Sequence, residues 1–159
     1  MLNWLDRVRC QNQIYEHWKG CIAMIYTEEV QKELNNILKA FERYIDSQGH
    51  FDILYSKKVG YLWIVVDPPG GAGAQQLDTP EDMLDVLFNE VISDIINSPE
   101  NITHIPECRT LTKWEESESR RQLTAILEQI EDNAAKYLEY MDTYIQAYQE
   151  RYTGEGESC

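Results

Sequence analysis

The stretch FDILYSKKVGYLWIVVD, residues 51–67, decides the fold class of this chain. It contains two runs rich in β-branched and aromatic residues, FDILYS and YLWIVVD, which are separated by the glycine-containing turn KKVG. Such a pair of runs around a short turn predicts an antiparallel β-hairpin. A lone hairpin is only marginally stable in water, so helices elsewhere in the chain must cover it.

Helices are predicted on both sides of this hairpin. The segment from Thr27 to Gly49 has a capping threonine, acids in its first turn and a glycine just past its end. Its apolar residues recur at helical spacing and form one stripe: Val30, Leu34, Ile37, Leu38, Phe41 and Ile45. A second helix is predicted from Thr79 to about Asn97, because TPED combines a capping hydroxyl, an early proline and two first-turn acids.

A long C-terminal helix is predicted over about 113–151. Its apolar residues alternate at spacings of four and three and form an unbroken seam: Leu123, Leu127, Ile130, Ala134, Tyr137, Met141, Tyr144 and Tyr148. A helix of ~38 residues is ~57 Å long, so part of it is expected to project or to pair with another copy. The sequence therefore predicts a single, mostly helical α+β domain over 1–152, with a flexible tail at 153–159.

The segment PPGGAGAQQ, residues 68–76, raises the question of phosphate binding. It lacks the lysine of a Walker loop and the glycine spacing of a dinucleotide-binding loop. Asp78, Glu81 and Asp82 at the following helix start would repel an anion. We interpret the segment as a flexible connector and expect no cofactor.

Other signatures of chemistry are weak. HWKGC and HIPEC each place a histidine four residues before a cysteine, at His17/Cys21 and at His104/Cys108. Together these pairs would supply a Cys₂His₂ zinc site, although a glycine and a proline interrupt the two segments. The sequence contains no HExxH, GxSxG or CxxC motif. We therefore expect no metal and no enzyme, and the zinc site stays open as an alternative.

Charge is the strongest compositional feature, with a formal net charge of −14. Residues 1–60 are neutral, and from Val59 to Cys108 there are nine carboxylates and no Lys or Arg. This field disfavours direct binding to nucleic acid or anionic lipid and favours a basic protein partner. Because no long apolar run and no signal-peptide pattern occurs, we expect no membrane contact and a cytoplasmic location.

These observations predict a non-enzymatic acidic binding protein that acts by protein–protein contact. Its sharpest form is an inhibitor that mimics nucleic-acid charge and blocks a basic nucleic-acid-binding enzyme, as anti-restriction or anti-CRISPR proteins do. The predicted partner-binding residues are carboxylates on the polar sides of the two C-terminal helices: Asp82, Asp85, Glu90, Glu128, Asp132, Glu139 and Asp142. The alternative is a helical assembly protein that forms a homodimer through its long C-terminal helix.

Overall fold

A computed structural model describes residues 27–67, 71–101 and 110–151 and shows an α+β fold in these ranges. Its elements, in chain order, are α1 (Glu28–Asp46), β1 (Phe51–Ser56), β2 (Gly60–Asp67), β3 (Gly71–Leu77), α2 (Pro80–Ile96), α3 (Lys113–Leu127) and α4 (Ala134–Arg151). Helix α1 packs on β1 and α2 packs on β3, while α3 contacts both α1 and α2. None of the described helices is long and apolar enough to cross a membrane. The predicted tail at 153–159 lies outside the described residues.

The first helix forms as its caps and stripe predict. Thr27 accepts a hydrogen bond from the Val30 amide at 3.2 Å, which caps the helix N-terminus. The residues of the stripe with the least solvent exposure are Leu34, Ile37, Phe41 and Ile45. These side chains meet the buried face of the sheet, which includes Phe51, Ile53, Tyr61 and Leu77.

The predicted hairpin is confirmed, with Phe51 paired to Val65 and Ser56 to Gly60. The interpretation of the glycine-rich segment as a connector is wrong for residues 71–76, because residues 71–77 form a third strand that pairs antiparallel with β2. Glycine and alanine have little strand propensity of their own, so the pairing with β2 imposes this conformation. Gly71 begins the strand at a φ of 108°, which side-chain-bearing residues rarely adopt.

The single long C-terminal helix is not confirmed. The chain turns at residues 128–133, where Asn133 has a φ of 66°, and continues as α4. The Gln149 side chain accepts a hydrogen bond from the Leu111 amide at 2.7 Å, so the end of α4 lies beside the start of α3. The predicted seam is therefore largely buried inside the chain, at Leu123, Leu127, Ile130, Tyr137, Met141 and Tyr148. Apolar residues spaced by four and three are compatible with two packed antiparallel helices as well as with one continuous helix.

Candidate protein-binding surface

The seven predicted partner-binding residues do not form one surface. They lie on three separate parts of the fold: Asp82, Asp85 and Glu90 on α2, Glu128 and Asp132 at the turn between α3 and α4, and Glu139 and Asp142 on α4. The turn breaks the carboxylate row that a continuous helix would have presented. The seven carboxylates therefore have different surroundings.

A cleft between α2 and α4 brings two carboxylates together, those of Glu81 and Glu139. It encloses about 210 Å³, less than a typical small-molecule pocket, and we name it the acidic groove. Its lining residues are Glu81, Leu84, Lys136, Tyr137, Glu139, Tyr140 and Thr143. The sequence predicted Glu139 as a binding residue but not Glu81 on the opposite wall. The predicted long helix was expected to project or pair, so its packing against α2 was not foreseen.

Asp85 adjoins the groove through Tyr140, whose hydroxyl donates to Asp85 Oδ1 at 2.7 Å. Burial raises the pKa of the Asp85 carboxyl, the Tyr140 hydrogen bond opposes that rise, and the Asp82 and Glu81 charges add to it. The pKa of Tyr140 is also raised, first by burial and then by its bond to Asp85. The tyrosine therefore keeps its proton and orients the carboxylate without adding a positive charge.

Two other tyrosines hold carboxylates of neighbouring helices in the same way. Tyr137 of α4 donates to Glu33 of α1 at 2.7 Å, and Tyr44 of α1 donates to Asp94 of α2 at 2.6 Å. Burial is the largest cause that raises the pKa of both hydroxyls. Lys136 lies 3.4 Å from Glu33 and offsets part of the charge at that position.

Asp82 combines a position on α2 with a structural role. Its side chain accepts hydrogen bonds from the Asp78 and Thr79 amides at 3.2 and 3.1 Å, and the Thr79 side chain completes the capping box. The local sequence TPED predicts this cap. Removing the Asp82 carboxylate would therefore weaken the start of α2 as well as change the charge.

Glu90 is a correction to the predicted surface, because it is buried, with only 8% of its surface exposed. Its Oε2 lies 2.8 Å from His50 Nε2, beside the start of β1. Helical periodicity places Glu90 opposite the apolar arc, but the polar partner is 40 residues away in the chain. Because the Glu90 side chain is buried beside His50, it is not available to a partner.

The remaining acids are exposed and differ in their ion pairing. Asp132 lies 3.3 Å from Lys32, and Asp142 forms an ion pair with Arg120 of α3. Such surface pairs contribute little stability, about 0–1 kcal/mol, and salt screens them. Within the described part of the chain, no ion pair joins the Glu128 or the Glu139 carboxylate to a cation.

No metal-binding cluster of three His, Cys, Asp or Glu side chains occurs within residues 27–67, 71–101 and 110–151. The residues of the alternative zinc site, His17/Cys21 and His104/Cys108, lie outside those ranges. Comparison with known protein families, with curated proteins and with solved structures finds no match for this chain.

Proposed function

We propose that the protein is a non-enzymatic acidic binding protein that contacts a basic protein partner through the acidic groove. The observation that carries this proposal is the convergence of Glu81 and Glu139 on one cleft, with Asp85 held beside it by Tyr140. The only cation among the lining residues described, Lys136, is shared with Glu33. Positively charged side chains of a partner would bind carboxylates that are already positioned, and this favours fast association.

The sharpest form of the proposal is mimicry of nucleic-acid charge. Helix α2 carries five carboxylates and no Lys or Arg, and the tyrosine hydrogen bond fixes Asp85 without cancelling its charge. An arginine-rich groove that binds phosphates would bind such carboxylates by the same charge-assisted hydrogen bonds. The partner is then a nucleic-acid-binding enzyme of the restriction or guide-RNA kind, and binding blocks its substrate.

The alternative, assembly through the C-terminal helix, has lost its structural premise. That hypothesis needs a continuous helix with a free apolar seam. The seam residues instead pack inside the chain, where α3 and α4 lie side by side. The acidic surface is the better-supported candidate.

The test uses a short oligoarginine peptide as the basic probe and calorimetry as the measurement. The variant Glu81→Gln/Glu139→Gln removes two charges from the groove, and Glu29→Gln/Glu42→Gln removes two exposed charges from α1 as a matched control. We expect the groove variant to weaken binding by roughly threefold to tenfold, since exposed ion pairs are worth up to about 1 kcal/mol each. Equal weakening by both variants would mean that only net charge matters and would overturn the assignment of the groove.

A competition experiment tests the mimicry itself. A labelled DNA duplex is first bound to the oligoarginine peptide, and the protein is then added at low and at high salt. We expect the wild-type protein to release the duplex at low salt, with the groove variant less effective than the control variant. Failure to release the duplex would contradict mimicry while leaving protein binding by the groove intact.

A further inference from the structure

The three-stranded sheet has two edges, at β1 and at β3, and each edge has backbone groups that point away from the sheet. The Val66 amide donates to the His50 carbonyl at 2.8 Å, so even-numbered residues of β2 bond toward β1 and odd-numbered ones toward β3. The β2–β3 register pairs Trp63 with Gln75. On β3 the backbone groups of Ala72, Ala74 and Gln76 therefore point away from the sheet.

The β1 edge is protected against strand addition. Its outward-pointing Ile53 amide donates to Asp52 Oδ1 at 2.7 Å, which occupies one of the donors that an added strand would need. Asp52 also places a charge on this strand, and Phe51 and Ile53 are buried beneath α1. Charges at an edge and occupied edge donors are devices by which proteins prevent edge pairing.

The β3 edge has neither device. Residues 71–77 contain no charged residue and no proline, and residues 71–75 are all exposed. At Gly73 the backbone does not need glycine, since a Cβ built there would meet no atom within 4 Å. Glycine inside a strand weakens it and often marks a close approach of another backbone.

The distribution of charge favours a second copy of this chain as the occupant of this edge. The chain carries −14 overall, so two copies repel each other over most of their surface. The charged residues of the three strands and the β1–β2 turn are Asp52, Lys57, Lys58 and Asp67, whose charges sum to zero. Strand β3 itself is uncharged. Asp78, Glu81 and Asp82 follow β3 at one end, so repulsion between two copies is reduced along this edge and is not abolished.

We propose that two copies pair through β3, antiparallel, about a twofold axis at Ala74. In this arrangement Ala74 pairs with its counterpart, and Ala72 pairs with Gln76 in both directions, so that all three outward-pointing residues are used. The result is a six-stranded sheet whose two ends are protected β1 edges. Assembly therefore closes at the dimer.

The proposed dimer is weak and responds to salt oppositely to the acidic groove. A seven-residue strand offers an edge of only ~23 Å, well below the area of a standard stable interface. Salt screens the repulsion between two copies, so it strengthens this dimer. Binding of a basic partner to the acidic groove weakens with salt, so the two proposals can fail independently.

The test is sedimentation equilibrium of the full chain over a range of concentrations at low and high salt. We expect a monomer–dimer equilibrium that shifts toward dimer at high salt. Ala74→Lys places like charges across the axis and should raise the dissociation constant by at least about tenfold. The matched control is Leu54→Lys, which adds the same charge at an exposed position of β1.

Amide hydrogen exchange supplies a second measurement that does not depend on a variant. The amides of Ala72, Ala74 and Gln76 should become protected as concentration rises, while those of β1 do not change. A chain that stays monomeric at every concentration and salt would overturn the proposal. Equal disruption by Leu54→Lys and Ala74→Lys would also overturn it, because it would indicate face-to-face stacking of sheets.

Discussion

At the scale of single residues, tyrosine hydroxyls orient carboxylates that a lysine or arginine would neutralise. Tyr140 donates to Asp85 at 2.7 Å within a partly buried contact. A hydrogen bond to a charged acceptor contributes about 1.5–3 kcal/mol, more than a bond between neutral groups. The Asp85 carboxylate therefore stabilises the fold through this hydrogen bond and also keeps its negative charge.

The substitution Tyr140→Phe tests this contact. It removes the donor but keeps the ring, so we expect a loss of about 1–3 kcal/mol in the free energy of unfolding. Urea unfolding at neutral pH measures it. Tyr55→Phe is the control, because the Tyr55 hydroxyl is exposed and contacts Gln31 at 3.4 Å; a similar loss in both variants would contradict the argument.

The raised pKa of Asp85 predicts a pH dependence. A carboxyl whose pKa is higher in the folded than in the unfolded state favours folding below the unfolded pKa, and this contribution is lost as pH rises through the folded pKa. Asp85→Asn keeps an acceptor for Tyr140 but does not titrate. Its stability relative to wild type should therefore rise from acidic to neutral pH in urea unfolding. A constant difference across this range would contradict the prediction.

At the scale of elements, the hairpin and the helix caps could be predicted because their signals are local. The strand β3 could not, since its glycines and alanines take their conformation from the β2 partner. The turn at 128–133 contains no glycine or proline, and the apolar seam runs through it unbroken. Glu90 was misplaced because His50 is distant in sequence.

Asn133 decides between a turn and a continuous helix. Its positive φ is readily adopted by glycine and asparagine, and it costs most other residues with a Cβ roughly 1–2 kcal/mol. We expect Asn133→Gly to be nearly neutral and Asn133→Ala to destabilise the protein in urea unfolding. A continuous helix would give the opposite order, because alanine is the better helix former.

Burial of the seam inside the chain makes a further prediction at this scale. Ile130 and Tyr137 are almost fully buried, so replacing either with alanine should cost about 2–4 kcal/mol through cavity formation. Chemical unfolding measures both variants. Near-neutral effects at both positions would mean that these side chains do not face the core.

At the scale of the whole molecule, the large negative charge opposes compactness. Glu128 and Glu131 are exposed at the α3–α4 turn. Replacing both with lysine should leave the free energy of unfolding within about 0.5 kcal/mol or increase it, because reduced self-repulsion compensates for lost local interactions. Thermal unfolding measures this. A clear loss of stability would show that these acids contribute to the fold.

The tyrosine–carboxylate contacts form a closed ring around three helices. The Tyr44 hydrogen bond joins α1 to α2, that of Tyr140 joins α2 to α4, and that of Tyr137 joins α4 to α1. When one of these hydrogen bonds is removed, the other two still connect all three helices. When two of them are removed, one helix has no such hydrogen bond to either neighbour. The second removal should therefore lower the free energy of unfolding by more than the first. The walls of the acidic groove belong to two members of this ring, and its width is therefore set in part by a contact on the far helix.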